Sequence, residues 1–286
     1  MRGLWGCPRS VTTRLTRSQP HAIVLALALA VSACGSAGGP SILLEADLGH
    51  LPAEVDRDAI MTSLVDILER RAIAFGASDV EIQREGSSRV AVTLGGVISE
   101  EDARRLFEQT AILEFRQPVL DEEGRVLCQA PNGAQFSISR EEITYSRDDV
   151  HDRLGPHCLG SEGQSGDIVW EPPIPAAGQA QNEAAVIIQP ILATVDRTRA
   201  PVIVASFSAS DAQYFEEITS RLVGLPLGIF VDGELLAGPT IQEPIATGNV
   251  AIAGLSLPEA NILAAQLAAG PLPVSITEIS IKEASE

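Results

Sequence analysis

The sequence predicts an α+β fold, and three observations carry that reading. Between residues 41 and 117, short alternating apolar runs and two amphipathic stretches follow in the order strand, helix, strand, strand, helix, strand. This is the split βαβ, ferredoxin-like order (βαββαβ). From 118 to 189 the composition shifts to Gly, Pro, Gln, Ser and acidic residues with few apolar runs, as in an insertion. From 190 to 282 strand and helix patterns return and predict a second α/β lobe.

Each element has a local cause. SILLEADL (41–48) alternates as a strand. Over 54–75, Ile60, Leu64, Ile67, Leu68 and Ile73 fall near helical spacing, and Gly76 ends the helix. VEIQRE (80–85) and RVAVTL (89–94) are strands joined by the turn GSS. Ser99, with Asp102 three residues on, is an approximate capping box that opens a helix running to Thr110. ILEFRQ (112–117) is expected to close the first lobe. In the insertion, WEPPIPAAGQAQ (170–181) reads as an exposed linker, and the segment as a whole as a short hairpin rather than a core. PVIVASF (201–207) is a strand. A helix follows over 208–222, opened by Ser208 or Ser210. Asp232-Gly233 between two apolar runs is a tight hairpin signal. NVAIAG (249–254) is a strand, and Ser256 with Glu259 is a true capping box. That helix runs to Ala269 before Gly270-Pro271 stops it, and PVSITEISI (273–281) is the closing strand.

The first 34 residues address the location. Arg2, Arg9, Arg14 and Arg17, with no acid among them, precede the apolar run Ala22–Ala33. Such a run has the length of a signal-peptide core and is too short to span a bilayer as a helix. It ends in Val31-Ser32-Ala33-Cys34, which resembles the bacterial lipobox. The resemblance implies that 1–33 is a lipoprotein signal peptide and that Cys34 carries lipid, palmitate included. Residues 34–40 are then a tether to the extracytoplasmic face of a cell membrane. An ordinary signal peptide that meets a cysteine is the alternative. The other apolar stretches, such as 223–231 and 250–255, are strand-sized. Removing 1–33 takes the formal charge from −18 to −22, which disfavours nucleic acid and anionic headgroups. Lys282 is the sole lysine.

Five colinear segments resemble SecD, an accessory subunit of the bacterial protein-export machinery. TAILEFRQ (110–117) is similar to its "TA-x-LEFR" segment, and the run from ILERRAIAF to VAVTLGGV is similar to the helix and strands before it. PVIVASFSASDAQYFEEIT, PLGIFVDGELLAGPTIQEPIATGNVAIAG and LSLPEANILAAQLAAGPLPVSIT resemble three later runs. The likeness covers 41–117 and 190–281, the first large extracytoplasmic domain of that family. It implies a ferredoxin-like base and a head over 190–282, and contact with unfolded preproteins and export-channel subunits. Two departures stand out: a lipobox replaces the membrane helix that should precede the domain, and AAVIIQPILATV (184–195) replaces the family's "LTG" turn. Membrane helices, which carry the family's proton coupling, are missing from this sequence, so the expectation is binding without a motor. A structural or envelope lipoprotein that keeps the fold without an export role is the alternative.

Chemistry-bearing residues are few. Cys7 lies in the leader. Cys128 and Cys158 remain, and outside the cytoplasm a pair suggests a disulfide. Zinc held with His151 and His157 is the rival, although no paired C-x-x-C is present and His157 adjoins Cys158; free thiols are a third possibility. Glu100-Glu101, Glu122-Glu123, Glu141-Glu142, Asp148-Asp149 and Glu216-Glu217 fall on helix first turns or in polar loops, as solvated faces do. G-x-S-x-G, Walker and G-x-G-x-x-G motifs are absent. The sequence therefore reads as non-enzymatic, with no catalytic residues, metal or cofactor; a hydrolase of unrecognised type is disfavoured. Phe107, Phe115, Phe207, Tyr214, Phe215 and Phe230 fall on faces expected to be buried. Trp170, beside Pro172 and Pro173, is either an exposed contact or tucked onto a lobe.

Overall fold

A computed structural model describes residues 41–95, 98–147, 154–160, 163–174, 188–195 and 201–282. Cys34, the leader, the tether, His151 and Asp148-Asp149 lie outside the described residues. In chain order the elements are β1 (Ser41–Ala46), α1 (Arg57–Phe75), β2 (Ser78–Glu85), β3 (Arg89–Gly95), α2 (Glu100–Glu108) and β4 (Leu113–Arg116). Then come β5 (Val126–Gln129), β6 (Gln135–Ile138), β7 (Ile143–Arg147), β8 (Leu154–Leu159), β9 (Ser165–Ile168) and β10 (Ile188–Val195). The chain continues through β11 (Pro201–Phe207), α3 (Ala209–Arg221), β12 (Gly228–Val231), β13 (Glu234–Ala237), β14 (Asn249–Ala253), α4 (Leu257–Ala269) and β15 (Ile276–Lys282). The α+β class stands.

The helix ends follow local chemistry. Asp56 caps α1 by accepting from the amides of Asp58 and Ala59, so the helix begins at Arg57 rather than 54. Ser99 accepts from the Asp102 amide, and Ser256 with Glu259 forms a complete capping box. Gly76, at φ 95°, closes α1 in the left-handed conformation that glycine adopts without strain.

The first sheet has the order β15-β1-β3-β2, antiparallel throughout. Ile42 opposes Val92 and Leu44 opposes Val90, and all four are fully buried. Their face is covered by α1 through Met61, Leu64 and Leu68, by α2 through Leu106 and Phe107, and by α4 through Ile262 and Ala265. The closing strand is therefore β15, not 112–117, which corrects the lobe boundary at 117. β4 instead pairs with β12. Alternation marks a half-buried strand but carries no information about its neighbour. The ferredoxin-like base is thus discontinuous: everything from β4 to β14 is inserted between α2 and the α4 and β15 that complete it.

The second core holds β4-β12-β13, β10-β11-β14, α3 and the sheet of the insertion. Residues 118–189 are more than a polar excursion. They build a five-stranded antiparallel sheet, β6-β5-β9-β8-β7, and bury Val126, Ile138, Ile168 and Ile174. Its apolar content is spread one or two residues per short strand, too sparse to stand out against the Gly and Pro turns. Trp170 is half-buried and meets Phe230 edge to face, with centroids 5.7 Å apart. α4 belongs to both cores. Ala260, Leu263 and Leu267 face the second, while Ile262, Ala265 and Ala269 face the first. A helix apolar on all sides is a buried one, which explains the sequence LPEANILAAQLAA.

Candidate functional site

The two cores meet at the Asp232-Gly233 hairpin. Both residues have positive φ, 52° and 84°, as a type I′ turn between β12 and β13 requires. The Asp232 carboxylate is occupied. It accepts from the amides of Ala111 (3.0 Å) and Ile112 (2.8 Å) and from the Thr110 hydroxyl, and the Asp232 amide donates to the Ile112 carbonyl. These bonds hold Ala111 at φ 63°, a conformation uncommon for a residue with a side chain. The hairpin expected from sequence is therefore a latch on the chain that leaves α2.

Sequence reasoning missed Arg71. It is fully buried on α1, and its guanidinium donates to the carbonyls of Leu106 (3.1 Å), Gln109 (2.6 Å), Thr110 (2.8 Å) and Gly270 (3.4 Å). One side chain thus serves the carboxyl ends of α2 and α4, whose last carbonyls have no partner within their own helix. Burial pulls the guanidinium down to about 10, and the charge of Asp232 opposes that shift. The signal was available: Arg71 lies seven residues after Leu64 and three after Leu68, on the stripe α1 buries.

Above the junction an apolar groove of about 250 Å³ runs between β13 and β14, lined by Tyr145, Ile229, Leu236, Gly238, Ala251 and Ala253. β14 is the last strand of its sheet. The Phe207 amide donates to the Gly248 carbonyl, so in the register of β11 and β14 the pairs 205/250 and 203/252 are hydrogen-bonded. Ala251 and Ala253 then turn their amides and carbonyls outward, away from β11. Among the described residues no strand pairs with that edge.

Cys128 on β5 and Cys158 on β8 form a disulfide across β9, with Cα atoms 6.2 Å apart. With the sulfurs joined to each other, the zinc reading loses its thiolates. His157 faces Asp167 instead, at 3.3 Å. Glu100 and Glu101 pair with Arg104 and Arg105 one turn on, as a solvated helix face does. Phe107, Phe115, Phe215 and Phe230 are buried, and Phe207 and Tyr214 pack against the second core.

Comparison with known proteins agrees with this architecture. The SecDF P1 head subdomain model matches residues 186–274, and the model of the N-terminal P1 domain region of translocase subunit SecDF matches 61–119. Together they span just over half the chain. Protein translocase subunit SecDF of Thermus thermophilus is 29% identical over 250 residues, 86% of this chain and 30% of that protein. SecD of Treponema pallidum is 26% identical over 281 residues, 94% of this chain and 46% of that one. The chain thus spans about a third to a half of these relatives. A solved structure described as a membrane component SecDF that enhances protein export is 26% identical, with a TM-score of 0.52, over 86% of this chain and 99% of that one. SecDF in its super-membrane-facing form shares the fold at 24% identity and a TM-score of 0.54, over 85% of this chain and 30% of that one.

Proposed function

This chain is a SecD P1 domain-like protein, and on that premise we propose that it is a non-enzymatic, lipid-anchored, extracytoplasmic binding protein of protein export. It contacts extended preprotein segments or export-channel subunits, and it has no proton-coupled motor activity. The open edge of β14 beside an apolar groove is the observation that carries this reading. An extended chain recognised by strand addition needs outward backbone groups for affinity and shallow apolar space for its alternate side chains. Ala251 and Ala253 provide the first and leave room for the second. A partner bound through backbone groups is read with little regard to sequence, as a protein that meets many secreted chains requires. Anchoring rests on the lipobox-like Val31-Ser32-Ala33-Cys34. No helix among the described residues is long and apolar enough to cross a membrane.

The test is an in-cell crosslinking pull-down during active secretion, with Cys34→Ser and Ala251→Pro beside the parent. Proline at 251 removes an outward amide while leaving the bonded pairs to β11 in place. Recovery of export-channel subunits or nascent secreted chains by the parent, lost with Cys34→Ser and weakened by Ala251→Pro, is the expected result. Recovery of neither, with normal secretion after deletion of the protein, overturns the reading and leaves an envelope lipoprotein that shares the fold.

A further inference from the structure

The groove between β13 and β14 has no charged side chain in its lining, in a chain whose formal charge is −18. The lining side chains are apolar apart from the Tyr145 hydroxyl, and that hydroxyl is already bonded to the Thr240 hydroxyl. The strand registers assign three walls. Ala251 and Ala253 line the groove and Ile252 between them does not, so it lies on the face of β14 that the two methyls share. Both alanines are exposed, whereas Ile252 is buried in the second core. Ala237 and Ile229, which stand opposite each other in the β12–β13 pair, form the second wall. Tyr145 forms the third. It stands opposite Pro156 in the β7–β8 pair, and Pro156 packs so closely on Gly238 that a β-carbon there would lie 2.5 Å from it. That contact and the Thr240 bond hold β7, and with it the tyrosine, against the end of β13. Tyr145 nevertheless keeps 37% of its surface exposed, so it is pinned without being covered.

Small residues beside one pinned ring leave a space of about 250 Å³ that the described residues do not fill. An apolar cavity of about 150 Å³ already holds a benzene ring. We infer that the groove takes an aromatic side chain, of the size of phenylalanine, from an extended polypeptide. The inference rests on the proposed docking at β14 and names the side chain which that docking selects. In a strand added to β14, the residue directly opposite Ala251 or Ala253 sends its side chain to the face of their methyls, and so into the groove. Alanine at both positions gives it a floor and no competing side chain. Its ring meets that of Tyr145, and aromatic pairs gain affinity beyond the area they bury. A leucine fills less of the space and finds no ring partner. A lysine or glutamate finds no opposite charge in the lining and would be desolvated without compensation.

The test measures binding of the full chain to labelled peptides rich in Thr and Val, whose central residue is phenylalanine, leucine, alanine or lysine. We expect the phenylalanine peptide to bind about threefold to tenfold more tightly than the leucine peptide, the scale of one aromatic pair. The alanine and lysine peptides should bind more weakly than either. Tyr145→Leu keeps an apolar wall and should erase the preference for phenylalanine over leucine, while Tyr145→Phe keeps the ring and should retain most of it. Ala251→Leu, at an exposed position, fills the groove and should lower the phenylalanine peptide to the level of the alanine peptide. In parallel, Nα-acetyl-phenylalanine amide is titrated while the methyl resonances of Ala251 and Ala253 are followed. Equal binding of the phenylalanine and leucine peptides, or a preference that survives Tyr145→Leu, overturns the aromatic subsite while docking at β14 stands. If no peptide binds but the phenylalanine amide shifts the two methyls, the subsite stands and the docking reading falls. If neither binds, both are refuted. Self-association of the chain that Ala251→Leu abolishes, with no response to any peptide, makes a second copy the occupant and overturns both.

Discussion

Replacing Arg71 with methionine tests the account of the junction. The change keeps most of the buried volume and removes every donor. Three carbonyls lose a good hydrogen bond, those of Leu106, Gln109 and Thr110, while the bond to Gly270 is long and counts for little. At about 1–3 kcal/mol for each acceptor left unsatisfied, discounted because two of the bonds are only partly buried, the loss is about 3–6 kcal/mol. Against this, methionine relieves the cost of burying a charge. Burial pulls the guanidinium down to about 10, which places that cost at about 3 kcal/mol. The bonds win, by about 2 kcal/mol. For a chain of this size that is a fall of about 4–8 °C in Tm, read by calorimetry. Hydrogen exchange should localise it: the amides of Ala103–Leu106, Ala111 and Ile112 should lose protection before those of β1 and β3. The folded guanidinium has the lower pKa, so the parent gains stability only as pH rises through about 10, where the folded chain releases its proton before the unfolded one. Methionine removes that rise. A methionine variant as stable as the parent, with unchanged exchange after α2, would show that Arg71 is not what holds the two helix ends.

Three further outcomes follow from particular contacts. The Cys128–Cys158 bond closes 30 residues, so the Cys128→Ser, Cys158→Ser pair should lose about 3–4 kcal/mol in a denaturant titration and show no response to reductant. At Gly228 a β-carbon would stand 2.7 Å from Phe230 and 2.8 Å from Trp170; Gly228→Ala should therefore destabilise by about 1–3 kcal/mol. Trp170 is the sole tryptophan after residue 33, and its fluorescence should report the displaced ring. The Ser139 amide and hydroxyl hold the Glu142 carboxyl below its ordinary value. The folded value is the depressed one, so this contribution is present above the usual carboxylate pKa and lost as pH falls through the lowered value. NMR titration should place Glu142 below the exposed glutamates, and Ser139→Ala, which keeps the amide and removes the hydroxyl, should bring it only part of the way back to them.

What was legible in the sequence was local. Ser99, Ser256 with Glu259, Gly76 and the Asp232-Gly233 turn each shape the chain within a few residues of themselves, whereas the bonds of the Asp232 carboxylate to Thr110, Ala111 and Ile112 are long-range and were not legible. The disulfide was legible because two cysteines remained to be paired. Partner choice was not. β4 and β15 carry equally good alternation, and nothing within either says that one faces β12 and the other β1. Arg71 and Gln266 were hidden for a related reason. A polar residue on an apolar stripe is ordinarily a boundary position, and only the arrival of other helix ends turns it into a buried anchor. Gln266 shares α4 with Ile262 and Ala265 on the first core and Leu263 and Leu267 on the second. A polar group on a helix enclosed from both sides has no route to bulk water, so its partners must come from the protein around it. Its nitrogen is satisfied by the Arg105 carbonyl, and its oxygen is enclosed with no partner among the described residues. The bond from Gln266 to the end of α2 therefore exists only because α4 packs between the two cores, and no pattern within α4 alone could announce it.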